Sequence, residues 1–172
     1  DEDSSGTSHR DSGDNTAMKI LFLHGKESNP GGTKATFLQE AGHTVLNPHL
    51  PKDDWQESVK IASELWEGEE PDVVVGSSRG GAVAMSVGKP VDKMVLVAPA
   101  WREFCKEEIT VPENTVILHS GDDDVIPYLD SHLIANKLQT RVVRVGEDHR
   151  MSDFEALEQL LREINIKNET PV

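Results

Sequence analysis

Six short apolar runs alternate along the chain with longer amphipathic stretches, and this alternation limits the folds that the chain can adopt. The apolar runs cover residues 19–23, 44–47, 73–75, 94–98, 115–119 and 142–145. Between them, residues 33–41, 54–67, 80–87, 128–138 and 152–166 have the length and spacing of helices. Strands and helices that alternate in this way favour a single parallel sheet of about six strands with helices on both faces. The sequence therefore predicts an α/β fold.

The last predicted helix, 152–166, has the clearest amphipathic pattern. Its large apolar side chains fall on one stripe, which consists of Phe154, Leu157, Leu160, Leu161 and Ile164. This stripe supports a helix over these residues.

A chain of 172 residues suits one domain with a sizeable core. Residues 1–17 contain no Val, Ile, Leu, Phe, Tyr or Trp and carry five acidic side chains against one arginine. Such a segment has too little apolar surface to offset the entropy of ordering, so we expect a disordered acidic tail. The predicted domain covers residues 18–166, and a short polar tail covers 167–172.

The formal net charge of −14 disfavours nucleic acid as a partner, because phosphate binding calls for basic patches. No apolar run approaches the ~20 residues of a membrane span, and no signal segment precedes the first strand. We therefore expect no membrane partner and a cytoplasmic location. Cys105 is the only cysteine in the sequence, and we expect a buried or unreactive thiol rather than a nucleophile.

The third apolar run breaks into the sequence Gly76-Ser-Ser-Arg-Gly80, and a run of small residues follows it. A Gly-x-Ser-x-Gly sequence between a strand and a helix is typical of a nucleophile elbow, in which a strained turn lifts the central serine above the sheet. Side chains at the two glycines would obstruct the close approach of strand and helix. Ser78 is therefore the predicted nucleophile, since the side chain of Ser77 points back towards the strand. The alternative is an ordinary glycine-rich turn.

An acidic loop and a late histidine follow the fifth and sixth apolar runs. Asp122, Asp123 and Asp124 come directly after the fifth run, and His149 lies in a glycine-containing turn after the sixth. The carboxyl ends of parallel strands meet at one edge of a sheet, so these side chains can converge on Ser78. The residues alone leave all three aspartates open as the acid. A cation site is the minor alternative, because the spacing of a calcium-binding loop is absent.

Residues 99–113 join the fourth and fifth runs, and they are too few to build a helical cap. We expect a shallow and open site, with Trp101 and Phe104 as its wall. The alternative for Trp101 is that it merely covers the edge of the sheet.

Residues 21–34 resemble the His-Gly-x-x-Ser-x-Pro signature of the YqiA-like small esterases, which belong to the α/β-hydrolase superfamily. The elbow at 76–81, the Ala-Pro-Ala strand end at 98–100 and the Gly-x-x-His at 146–149 agree with that family in order and spacing. The resemblance covers most of residues 18–166. It implies a minimal α/β-hydrolase core without a lid domain, which cleaves acyl esters or thioesters without a metal or an organic cofactor.

The resemblance also implies roles for individual residues. Gapless matching of the acid loop makes Asp123 the acid of a Ser-Asp-His triad, with Asp124 as its main competitor, and His149 becomes the base. The backbone N–H groups of Lys26 and Arg79 match the superfamily's oxyanion hole. We expect His24 to shape the loop of that hole, and His24 and Trp101 are the candidates for the substrate pocket. The Lys26 and Arg79 side chains are either solvated cations or the source of a preference for anionic acyl groups.

Two functions follow as expectations. The first is a serine hydrolase that cleaves small acyl esters or thioesters through a covalent acyl-enzyme. The second is a non-catalytic binding protein on a hydrolase scaffold, because fold does not imply function.

Overall fold

A computed structural model describes residues 17–25 and 32–166 of the chain. The described strands are β1 Lys19–Leu23, β2 Thr44–Leu46, β3 Val73–Ser77, β4 Lys93–Val97, β5 Thr115–His119 and β6 Arg141–Arg144. The described helices are α1 Thr33–Glu40, α2 Trp55–Glu69, α3 Arg79–Val87, α4 Trp101–Phe104, α5 Tyr128–Leu138 and α6 Phe154–Asn165. The predicted tails at 1–17 and 167–172 lie outside the described residues, apart from Ala17.

The six strands form one sheet in the order β2-β1-β3-β4-β5-β6, and every pair is parallel. Strands β3, β4 and β5 are buried along their whole length, which explains why their sequences are nearly continuous apolar runs rather than alternating ones. The edge strands β2 and β6 are partly exposed. The predicted parallel sheet of about six strands is confirmed.

Helices cover both faces of the sheet. One apolar cluster joins the sheet to α1 and α6, with Leu38 and Leu160 among its members. The other joins it to α2, α3 and α5 through side chains such as Trp66, Val83 and Ile134. The predicted two-sided arrangement is confirmed, and it leaves the carboxyl ends of the strands free for loops that carry chemistry.

Several boundaries differ from the predicted ones by one or two residues, and capping explains two of them. Asp54 and Asp153 were predicted inside helices, but each is an N-cap whose carboxylate accepts a hydrogen bond from a backbone N–H three residues later, at 3.1 and 3.2 Å. Strand β2 was predicted to reach residue 47, but Leu46, opposite Leu21, is its last residue paired with β1.

Two features of the helices were not predicted. Phe154 is 71% exposed, so it does not belong to the buried stripe of α6, because it stands in the first turn of that helix. The connection over 99–113 contains the one-turn helix α4, which was not predicted. Within the described part of the chain, no helix combines the length and apolar character needed to cross a membrane.

Candidate active site

Ser78 stands at the turn between β3 and α3 in a conformation that non-glycine residues rarely adopt, with φ 56° and ψ −118°. Hydrogen bonds hold this conformation from both sides. The Ser78 N–H donates to the Val97 carbonyl at 2.8 Å, and the Ser78 carbonyl accepts from the Ala100 N–H at 3.0 Å. The end of β4 therefore fixes the strained serine, as a nucleophile elbow requires.

Glycines permit the close contact between this turn and its neighbours. A Cβ on Gly76 would lie 2.6 Å from the Gly80 carbonyl oxygen. A Cβ on Gly80 would lie 2.6 Å from the His24 carbonyl oxygen and would overlap the Leu23 carbonyl. Both obstacles are backbone atoms that cannot rotate away, so α3 can approach β1 and β3 this closely only with glycine at these positions.

The structure brings Ser78, His149 and Asp123 together. The Ser78 Oγ lies 2.9 Å from His149 Nε2, and His149 Nδ1 lies 2.7 Å from Asp123 Oδ2. A carboxylate only accepts hydrogen bonds, so Nδ1 carries the ring hydrogen and Nε2 is free to accept from the serine hydroxyl. The three side chains come from the ends of β3, β5 and β6, which share one edge of the sheet.

The Asp123 carboxylate is fully buried and accepts four hydrogen bonds. Oδ2 accepts from His119 and His149, and Oδ1 accepts from the Val125 and Ile126 N–H groups at 2.7 and 2.8 Å. Burial alone would raise the pKa of Asp123, but these hydrogen bonds outweigh it and hold that pKa well below its usual range. The carboxylate is therefore ionised at any pH at which the protein would work.

The two other aspartates of this loop occupy different places. Asp124 is exposed and lines the cleft beside Ser78, while Asp122 is exposed and does not line this cleft. Of these three aspartates, only Asp123 forms a hydrogen bond to His149. No group of three or more His, Cys, Asp or Glu side chains in the described ranges is arranged to hold a metal ion.

The segment that follows β1 passes close to Ser78. A Cβ on Gly25 would lie 3.3 Å from the Ser78 Cβ, so the backbone here is within contact range of the serine. Lys26, the predicted oxyanion donor on this loop, lies outside the described residues. The backbone N–H of Arg79 belongs to the first residue of α3, next to the serine.

The expectation that His24 lines the pocket is wrong. Its side chain is 4% exposed and points into the protein, where Nδ1 donates to the Gly25 carbonyl at 2.9 Å and Nε2 accepts from the Leu50 N–H at 3.1 Å. Burial lowers the pKa of His24, which favours this neutral form. His24 thus ties the loop after β1 to the turn after β2.

Arg79 is not a solvated cation, contrary to the alternative given above. The residue is 2% exposed, and its Nη2 donates to the Pro51 carbonyl at 3.0 Å. Its guanidinium carbon lies 5.4 Å from the centre of the Trp55 ring and 5.6 Å from that of Phe104, and these two rings stack on each other. Leu50 and Pro51 are adjacent, so one turn forms hydrogen bonds to both His24 and the Arg79 side chain.

An open cleft of about 690 Å³ lies over Ser78. Its walls include Lys34, Phe104, Val125, Asp148 and Arg150. Phe104 lines the cleft as predicted, but Trp101 does not. The Trp101 indole N–H donates to the Asp130 carbonyl at 2.9 Å, so the ring packs towards α5 instead.

Contacts that the sequence did not predict hold the loop that carries His149. Met151 is buried beneath this loop at φ 55°, and Lys34 Nζ donates to the Arg150 carbonyl. Burial lowers the pKa of Lys34 to about 8, with the nearby Arg150 charge acting in the same direction and Asp148 opposing it. Helix α1 therefore braces the histidine loop across the cleft.

His119 is a neighbour of Asp123 in the candidate site that sequence reasoning missed, since it was assigned only to the end of a strand. It is fully buried, and its Nε2 lies 3.0 Å from the Asp123 carboxylate. The available signal was its spacing of four residues from Asp123 within a tight loop after a buried strand.

Comparison with known proteins adds information about the fold. No family model and no curated sequence matches the chain. Among solved structures, a protein assigned to the alpha/beta hydrolase superfamily from Xanthomonas campestris pv. campestris superposes with a TM-score of 0.72 at 20% identity, over 86% of this chain and 95% of the other. Alpha/beta hydrolase domain-containing protein 10 from mouse gives 0.69 at 17% identity, over 86% and 88%.

The ydeN gene product of B. subtilis gives a TM-score of 0.67 at 14% identity, over 86% of this chain and 99% of the other. The narrower resemblance to YqiA-like esterases is not singled out by these matches and stays a prediction. Likeness at these identities establishes architecture, and it agrees with the strand order and the loop positions described above. The chain has the α/β-hydrolase fold, without a lid domain in its described part.

Proposed function

We propose that this protein is a serine hydrolase that cleaves small acyl esters or thioesters through a covalent acyl-enzyme. The observation that carries the proposal is the continuous hydrogen-bonded chain from Ser78 through His149 to Asp123, with separations of 2.9 and 2.7 Å. A serine activated by a histidine that a buried carboxylate orients is the arrangement that makes a hydroxyl nucleophilic at neutral pH. The strained turn and the open cleft make the same hydroxyl accessible to a substrate.

The first half of the reaction acylates Ser78. His149 Nε2 removes the hydroxyl proton as Ser78 Oγ attacks the substrate carbonyl carbon, and Asp123 stabilises the imidazolium that forms. The backbone N–H groups of Arg79 and Lys26 are the proposed donors to the oxyanion. His149 then gives its proton to the departing alcohol or thiol, and the acyl group stays on Ser78 as an ester.

The second half reverses these roles. Water enters through the open cleft and loses a proton to His149 Nε2 as its oxygen attacks the acyl carbon. Collapse of the second tetrahedral intermediate returns the proton to Ser78 Oγ and releases the carboxylic acid. The reaction needs no metal and no redox cofactor, because acid–base and nucleophilic steps account for every bond that breaks or forms.

The proposed preference for small acyl groups is supported by the surroundings of the cleft. The connection after β4 builds only the one-turn helix α4, so little apolar surface is available to cover a long chain. Charged side chains of both signs, among them Lys34, Asp148 and Arg150, stand at its rim.

The experiment is steady-state hydrolysis of a short-chain nitrophenyl ester and a short-chain acyl thioester by the full chain. Ser78→Ala should lower kcat by roughly 10⁴-fold to 10⁶-fold, as loss of a nucleophile does in related chemistry. Ser77→Ala is the matched control, because its side chain is buried in the same turn and is not bonded to His149. Most of the activity should remain in this control. Wild-type protein that folds and binds acyl esters without turnover would favour the non-catalytic binding protein.

A further inference from the structure

A second histidine contacts the acid of the candidate triad. His119 ends β5 and has no exposed surface, and its Nε2 lies 3.0 Å from Asp123 Oδ2. This is the same oxygen that His149 Nδ1 approaches at 2.7 Å. Two imidazole rings therefore share one carboxylate oxygen, one from below in the core and one from the cleft side.

The neighbours of His119 determine which of its ring nitrogens carries hydrogen. Nε2 faces the Asp123 carboxylate and the Ile126 carbonyl at 3.1 Å, and both of these groups only accept. Nε2 must therefore be the donor. Nδ1 lies 2.6 Å from the hydroxyl of Ser131, a fully buried residue of α5. When that hydroxyl donates to Nδ1, the ring is held in the uncharged Nε2–H tautomer.

We propose that His119, held by Ser131, is a positioning residue that aims the Asp123 carboxylate at His149. The inference rests on the proposed function for its kinetic consequence, but its geometric content stands by itself. The Val125 and Ile126 N–H groups hold Oδ1, and the His119 N–H holds Oδ2. With both oxygens held, the carboxylate cannot rotate about its last bond.

An uncharged donor suits this position better than a cation. The imidazolium that forms on His149 during acyl transfer is stabilised by the negative charge of Asp123. A cation at His119 would neutralise that charge in advance, whereas the Nε2–H tautomer leaves it available and still satisfies the buried oxygen. Ser131 therefore contributes by holding the tautomer, although it is buried in the core and does not line the cleft.

A merely structural role is the competing explanation, because the His119 ring also packs edge-on against Tyr128, with centroids 5.6 Å apart. Two substitutions separate packing from hydrogen bonding. His119→Leu fills the core but donates nothing, while His119→Gln offers an amide N–H near the position of Nε2. If His119 positions Asp123, the Gln variant should recover the activity that the Leu variant loses. If His119 only packs in the core, the Gln variant should show no such recovery.

The kinetic test uses the full chain and a short-chain nitrophenyl ester. His119→Leu should lower kcat by about 10-fold to 100-fold, the worth of a hydrogen bond to a charged group, with KM unchanged. His119→Gln should recover most of the loss. Ser131→Ala, which keeps the ring, should lower kcat several-fold in the same direction and decides the matter if His119→Leu does not fold. Folded variants whose kcat stays within about twofold of wild type overturn the inference.

A second readout does not depend on turnover. The proton between His149 Nδ1 and Asp123 should give a downfield ¹H NMR resonance, identified by its absence in His149→Ala. It should persist in His119→Gln and should move or broaden in His119→Leu. The positioning role would stand, and the proposed function would be refuted, if the resonance responds to these two substitutions in this way but the wild-type protein hydrolyses no ester. A resonance that is missing from wild type or indifferent to His119→Leu would refute the positioning role itself.

Discussion

Gly80→Ala places one methyl group where the elbow helix meets the end of β1. The new Cβ would lie 2.6 Å from the His24 carbonyl oxygen and would overlap the Leu23 carbonyl. Neither obstacle is a side chain that can change rotamer, so relief requires α3 and β1 to separate. β1 leads through His24 to Gly25, where a Cβ would lie 3.3 Å from the Ser78 Cβ, so we expect the same displacement to disturb the surroundings of Ser78.

Gly68→Ala provides a matched control for the magnitude. Gly68 lies on the exposed face of α2, and a Cβ there meets nothing within 4 Å. Alanine gains up to about 1 kcal/mol over glycine in a helix, and both variants receive that gain. The difference between them is then the steric cost, about 3 kcal/mol at the upper end of the range for overpacking, since the contact is with backbone.

Thermal unfolding measures this difference. For a domain of this size, 1 kcal/mol corresponds to about 2–4 °C in Tm, so Gly80→Ala should melt about 6–12 °C below Gly68→Ala. It should also lose most esterase turnover, while Gly68→Ala keeps it. If the two variants melt within about 2 °C of each other, the close approach of α3 and β1 is not the reason for glycine at position 80.

Three further predictions concern the site. Folding lowers the pKa of Asp123, so the ionised carboxylate stabilises the folded state. This stabilisation is complete when the pH is above the ordinary aspartate pKa of about 3.9, and it is lost as the pH falls below that value. The gap in the free energy of unfolding between wild type and Asp123→Asn should thus be constant above about pH 5 and shrink below about pH 4; a gap independent of pH in denaturant titrations would contradict this. Arg79→Gln should lower turnover of a neutral ester and a carboxylate-bearing ester by equal factors, because its guanidinium is bonded to Pro51; a loss confined to the anionic ester would show that the charge faces the substrate. Turnover across a series of acyl esters should fall once the chain exceeds a few carbons, and fastest turnover on a long-chain ester would refute the small-substrate proposal.

The sequence predicted the sheet and the elbow well because both depend on local signals. Continuous apolar runs mark buried parallel strands, and the two glycines around Ser78 mark a turn that only they permit. The convergence of Ser78, Asp123 and His149 at one edge then follows from the topology, since each comes at the end of a parallel strand.

Side-chain environments were less accessible, because they depend on residues far away in the sequence. Arg79 is buried by a turn 28 positions earlier, and Trp101 is drawn away from the cleft by a carbonyl 29 positions later. The residues next to Arg79 in the sequence do not indicate whether its side chain is exposed or buried, so its burial could not be predicted. The second donor to Asp123 was missed for another reason: His119 ends an apolar strand, where a core histidine is the ordinary explanation.

Reaction of the full chain with a fluorophosphonate probe, followed by peptide mapping, tests the central claim most directly. A serine activated by His149 and Asp123 should form a single phosphonyl adduct on Ser78, and the adduct should be absent from Ser78→Ala, present in Ser77→Ala and formed far more slowly in His149→Ala. An adduct on Ser77, or folded wild-type protein that does not react, would contradict the account.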